Sequence, residues 1–117
     1  VTMSSDTAAF SGNITSVSDK RLKTNIKPIK DSLNKILKLR GVTFNWKEKE
    51  DTSTKIGFIA QEVEKVLPEV VIDDKEGLKS VSYSNITAVL TEAIKSQQLM
   101  ILSLQNELNQ IKKKLNN

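Results

Sequence analysis

The stretch VSDKRLK, residues 17–23, sets a hydroxyl, a carboxylate and three cations side by side. The 117-residue chain has no histidine and no cysteine, which removes the usual general base, the commonest metal ligand, thiolate nucleophiles and disulfides together. Any catalysis has to run on serine, lysine or carboxylates, and neither a cofactor nor a metal site is expected. Ser18 and Lys23 are the pair of interest. A Ser-Lys pair can replace a histidine-based nucleophile when a neutral lysine takes the hydroxyl proton. That requires an amine pKa, ordinarily near 10.4, to fall by roughly three units through burial or adjacent cations. Lys20 and Arg21 are such cations. The spacing alone proves nothing, because twelve serines and sixteen lysines readily produce it by coincidence. Residues five apart miss a common face in a regular helix, and in a strand they lie about 16 Å apart. Contact therefore requires a turn, or a lysine lent by a neighbouring subunit. The plain structural alternative is a Ser18-Asp19 cap in front of a basic helix.

The elements that would position this stretch follow from the rest of the pattern. The formal net charge of +4 is uneven: residues 18–40 hold eight Lys or Arg against two Asp, and residues 41–117 hold ten basic against eleven acidic. A basic segment of this kind is a solvated helix face or a site for a nucleotide phosphate or another anion. No apolar run approaches the roughly 18–20 residues that span a bilayer, and residues 1–17 lack the basic start and apolar middle of an export signal. The expectation is a soluble chain without a membrane partner. It opens on VTMSSDTAAFSGNITSV without an initiating methionine, and reads as a piece of a longer polypeptide. Those first 17 residues are small and polar, an arm or a short hairpin around Gly12-Asn13.

After Pro28, a short helix capped by Asp31 or Ser32 should set Leu33, Ile36, Leu37 and the stem of Arg40 on one face, with Gly41 as its stop. In VTFNWK, Val42, Phe44 and Trp46 alternate with polar residues, as in a strand with one buried face. A charged loop over residues 48–54 returns the chain to a second strand, KIGFIA. Ala60, Val63, Val66 and Leu67 then line a helix that Pro68 ends. VVID and LKSVSY are strands around a polar turn at Asp73 to Gly77.

From Ser84 onward proline and glycine disappear. Ile101, Leu104, Leu108, Ile111 and Leu115 follow alternating steps of three and four, a coiled-coil seam on a helix roughly 50 Å long. Ile86, Leu90, Ala93 and Gln97 continue it upstream, with a stutter before Ile101. Ile and Leu mix at both seam positions, so three strands are at least as well suited as two. Lys112, Lys113 and Lys114 complement the negative end of the helix dipole, which weighs against nucleic acid as a partner. The fold class is α+β: a small part with short strands and two short helices, followed by a long C-terminal helix in a trimeric coiled coil. The expected division is 1–17, the end of an upstream segment; 18–83, the globular part; and 84–117, the trimerisation helix.

SDKRLKTNI, then GVTFNW, IGFIAQEVEKVLPEVV and VSYSNITAVLTEAIKSQQ, ahead of a coiled-coil helix, resemble the intramolecular chaperone autoprocessing domain at the C-termini of phage tail spikes and tail fibres. The endosialidase tailspike is the best-known type. The resemblance covers residues 18 to about 100, in order and spacing. It implies a homotrimer that helps the upstream spike or fibre segment to fold, in the host cytoplasm during virion assembly, and then cleaves itself at Val17-Ser18. Ser18 is then the nucleophile and Lys23 the general base, with trimerisation the condition for activity. Asp19 and Arg21 match motif positions, orienting the turn or pairing across subunits. The competing reading is a non-catalytic trimerisation module whose basic segment binds an anion or a nucleotide.

Overall fold

The computed structural model describes residues 8–47, 50 and 52–117. In chain order the elements are helix α1 (Ser32–Leu37), strands β1 (Val42–Phe44) and β2 (Lys55–Gly57), helix α2 (Ala60–Val66), strands β3 (Val71–Asp73) and β4 (Lys79–Val81), and helix α3 (Tyr83–Leu115). Short 3-10 turns at Lys20–Leu22 and Pro68–Val70 complete them. This is the α+β arrangement expected, with two short helices and one long one.

The strands form two separate antiparallel ribbons. β1 pairs with β2 (Val42 with Gly57, Phe44 with Lys55), and β3 pairs with β4 (Val71 with Val81, Asp73 with Lys79). The β3–β4 turn is held by Asp74, whose Oδ1 accepts from the backbone N–H of Glu76 and of Leu78, and by Gly77 at φ +81°. Only glycine takes that conformation without steric cost. In the first ribbon the strand stops at Phe44, earlier than the alternation suggests. Asn45 donates through Nδ2 to the carbonyls of Thr52 and Ser53, a side-chain closure that takes the place of further ladder bonds. Trp46 therefore leaves the buried face and stands half exposed, edge-on to Phe44 at 5.1 Å between ring centres. Part of the expected charged loop, residues 48, 49 and 51, lies outside the described residues.

The core is built by α2, its continuation through Pro68–Val70 and the first turns of α3. Val63, Leu67, Val70, Ile86 and Val89 are buried together, with Ile29, Ile36, Leu39, Phe58, Val66, Val71 and Val81 packed around them. Val63, 1% exposed, is its centre. Leu33 and Ile36 of α1 turn inward as expected, but Leu37 is exposed and Leu39 takes the inner place. The helix has already ended at Leu37, so the 3.6-residue period no longer applies beyond it. Asp31 sits at the N-cap in the left-handed region, φ 58°, and its carboxylate accepts from Asn34 Nδ2 at 2.7 Å instead of capping a backbone N–H.

Tyr83, the first residue of α3, ties the first ribbon to the body. Its hydroxyl accepts from the Phe58 N–H at 3.0 Å, and its ring stacks on that of Phe58 at 5.8 Å. Gly57 makes room for it: a Cβ there would lie 2.6 Å from the Tyr83 hydroxyl and 3.4 Å from Phe44. Gly57→Ala should therefore displace the tyrosine, lowering stability by about 1–2 kcal/mol, with faster amide exchange at Phe58 in hydrogen-exchange measurements.

Helix α3 serves two environments. Ile86, Val89 and Ala93 are buried in the chain's own core, so the upstream part of the expected seam is occupied by the globular body, and Leu90 faces outward. From Gln97 to the end every residue is exposed, including Ile101 (49%), Leu108 (51%) and Leu115 (79%). The stutter thus falls where the helix leaves the body. The radius of gyration is 20.4 Å, against about 13–14 Å for a compact chain of this length, because the helix and the N-terminal arm both project.

Candidate active site

Residues 8–17 contain no strand and are exposed throughout, so this stretch is an arm. The chain bends once it passes Ser18. Asp19 is extended, at φ −64° and ψ 131°, and occupies the N-cap of the 3-10 turn over Lys20–Leu22. Its carbonyl accepts from the Leu22 N–H, and the Lys20 carbonyl accepts from the Lys23 N–H, each at 3.1 Å. A 3-10 turn advances by three residues per turn, and with one extended residue on each side it folds position 23 back over position 18. Lys23 Nζ then donates to Ser18 Oγ at 2.6 Å, within the same chain. This is the contact that neither a regular helix nor a strand allows.

The other two candidates hold the turn. Asp19 Oδ1 accepts from the Arg21 backbone N–H at 2.8 Å and from Arg21 Nε at 3.1 Å, while Oδ2 accepts from Arg21 Nη2 at 2.9 Å. Asp19 and Arg21 are thus paired with each other, as cap and clamp. The Arg21 side-chain hydrogen bonds, and then its backbone N–H, hold the Asp19 carboxyl below the usual range, and the same pairing raises Arg21. A carboxylate lowered in the folded turn stabilises that turn above the ordinary aspartate range and releases it only as pH falls through the lowered value. Between pH 5 and 9 the clamp is constant. Arg21 is also spoken for by its carboxylate, so its charge is not presented unopposed to Lys23 as the sequence suggested.

Val17 and Ser18 are exposed, as are all residues from 8 to 28. The low-dielectric cover that would favour a neutral amine is not supplied by the described residues of this one chain. The described residues include no cluster of His, Cys, Asp or Glu able to hold a metal, and no described helix is long and apolar enough to cross a membrane.

The basic segment resolves into separate engagements. Arg40 grips Glu62 in a bidentate pair, Nε to Oε1 at 3.1 Å and Nη2 to Oε2 at 2.6 Å, which lowers the Glu62 carboxyl and raises Arg40. Arg21 grips Asp19 in the same way. The guanidinium fork is the group best suited to a phosphate, and both of the chain's arginines present theirs to carboxylates. Further off, Lys79 bridges Asp73 and Glu64 and is raised by them, locking the second ribbon to α2.

Part of the chain is matched at family level. Residues 18–72 fit the family model described as chaperone of endosialidase, a peptidase family by its designation. The match begins at Ser18 itself. Among individual proteins the chain is similar to the long tail fiber protein Gp37 of Enterobacteria phage K3, 38% identical over 98 residues, covering 78% of this chain and 8% of the relative. The long tail fiber protein Gp37 of Salmonella phage S16 is 34% identical over 104 residues, covering 81% of this chain and 14% of the relative. The chain thus spans well under a fifth of these relatives' length. A domain of a chaperone family, akin to phage tail fibre proteins, is what the motifs resembled from sequence.

Sequence reasoning picked the Ser18–Lys23 pair and its two neighbours. It did not find Asn25, which has φ 54° two residues after Lys23. The available signal was its residue type, since asparagine is enriched in the left-handed region.

Proposed function

We propose that this chain is a self-releasing chaperone: three copies associate through α3, hold an upstream fibre segment in register while it folds, and then cleave at Val17-Ser18. The observation that carries the peptidase part is the 2.6 Å contact between Lys23 Nζ and Ser18 Oγ, made by a turn directly behind an exposed arm. As a neutral amine, Lys23 takes the hydroxyl proton while Oγ attacks the Val17 carbonyl carbon. The C–N bond to Ser18 breaks and its nitrogen receives the proton, leaving an ester at Oγ. Water then hydrolyses the ester, restoring the hydroxyl and giving Val17 a carboxylate. Asp19 and Arg21 keep the turn closed throughout.

The chaperone part rests on the bare apolar seam. A long helix exposing Ile101, Leu104, Leu108, Ile111 and Leu115 lowers its free energy by burying that stripe against copies of itself. Joining three chain ends raises the local concentration of the segments upstream to the millimolar range. Non-local strand pairing between chains, otherwise slow because loop-closure and association entropy is lost first, can then proceed in register. Release afterwards leaves a fibre whose stability is kinetic, because the element that nucleated its folding is gone. Association also supplies cover for the exposed Ser18–Lys23 pair, which makes trimerisation the condition for cleavage.

Intact mass measured over time on freshly made chain tests this directly: the expected product begins at Ser18, with residues 1–17 released. A chain that stays whole while trimeric favours the non-catalytic module instead. Since the proposed base is the Lys23 amine, Lys23→Met should stop the appearance of the fragment while leaving assembly unchanged; cleavage at the parent rate contradicts the role given to Lys23.

A further inference from the structure

We infer that Asn25 is a positioning residue for self-cleavage, its left-handed backbone being the joint that mounts the Ser18–Lys23 turn on helix α3. This rests on the proposed self-cleavage. Asn25 and Asp31, at φ 54° and 58°, are the two non-glycine residues in the left-handed region among the described residues, and they bracket residues 26–30 as a strap. The strap lies along α3. Ile26, Lys27, Pro28 and Ile29 line one side of a shallow groove whose other side is Ala88, Thr91 and Glu92. Ile29 packs against the core, and Pro28 stiffens the path by fixing its own φ and restricting Lys27.

On the other side of the joint, Lys23 is already back in extended backbone, at φ −115° and ψ 148°. Only Thr24 and Asn25 separate it from the strap, and both are exposed. No burial of residues 17–25 fixes the turn against the body, so its placement relative to α3 depends on the backbone at this joint. A reversal there needs positive φ. Asparagine tolerates it and glycine adopts it freely, whereas a β-branched residue resists it. Because the strap runs on α3, the joint also couples the pair to the helix through which the chains associate.

The test compares first-order rates of appearance of the 18–117 fragment by intact mass for the parent chain, Asn25→Gly and Asn25→Val, with light scattering and circular dichroism on each. The glycine variant should cleave within about threefold of the parent. The valine variant should cleave about tenfold or more slowly, at unchanged assembly size and helix content, as expected for roughly 1–2 kcal/mol of left-handed strain. Equal rates for valine and parent overturn the inference and leave the self-cleavage reading standing. A glycine variant as slow as valine overturns it as well, by placing the effect in the asparagine side chain. A parent that never cleaves overturns both the reading and the inference.

Discussion

Ser18→Ala is expected to leave every chain whole, a fall in self-cleavage of at least about 10⁴-fold, while assembly proceeds unchanged. The two halves of that expectation have separate physical grounds. Without Oγ there is no nucleophile attached to the scissile bond, and the chain has neither histidine nor cysteine to take over. Stability should hardly move, within about 0.5 kcal/mol, because Ser18 is exposed and the side-chain contact it forfeits is the one to Lys23. Lys23→Arg sharpens the result. A guanidinium can still donate to Ser18 Oγ, so the ground-state contact survives, but it does not deprotonate in a protein. If contact alone were enough, that variant would cleave. If Lys23 acts as a base, the Lys23→Arg variant should not cleave.

Leu104→Asp combined with Leu108→Asp is expected to dissolve the assembly and to stop cleavage with it. Each seam leucine contributes roughly 1.5–3 kcal/mol when fully buried. Two per chain in three chains therefore represent on the order of 10 kcal/mol, before the cost of setting carboxylates against one another in an apolar seam. The globular part should fold as before, since Leu104 and Leu108 are exposed and the buried residues of α3 are Ile86, Val89 and Ala93, in its early turns. A folded monomer that retains the Ser18–Lys23 turn yet does not cut would separate having the pair from activating it. Cleavage at the parent rate in such a monomer would remove any role for association.

The features legible in the sequence are those carried by local period or by turn chemistry. The helix carrying Ile101 to Leu115, the strand pair flanking Asp73 to Gly77, and the helix ending before Pro68 all announce themselves within a window of ten residues or so, and each is present. The misplaced details are tertiary. Trp46 continues the alternation of Val42 and Phe44, but the Asn45 side chain ends the strand first. Leu37 has helical spacing from Leu33, yet Leu39 reaches the core because the helix has stopped. Ile86 and Ala93 fit the seam by spacing and are claimed by the chain's own body, since a periodic stripe does not say which surface will cover it.

The candidate site divides along the same line. The residue types at 18, 19, 21 and 23 were readable, and so was the requirement for a turn. The turn itself was not, because it depends on Asp19 capping a 3-10 helix while its carboxylate closes on Arg21, and SDKR permits several other conformations. The same sequence had suggested a plain cap before a basic helix. Asp19 does cap, but what it caps is three residues long and delivers Lys23 to Ser18. The tie from Tyr83 to Phe58 across Gly57 joins positions 25 residues apart, beyond the reach of any local pattern.

The most direct measurement is sedimentation of the parent chain across a wide dilution series, with intact mass taken from the same samples over time. Self-cleavage within a three-chain assembly gives a species of three chain masses and a new N-terminus at Ser18, formed at a rate independent of concentration above the association threshold and lost below it. Fragments beginning at Ser18 from chains that remain single at every dilution, or a stable three-chain species that keeps residues 1–17 attached indefinitely, would contradict it.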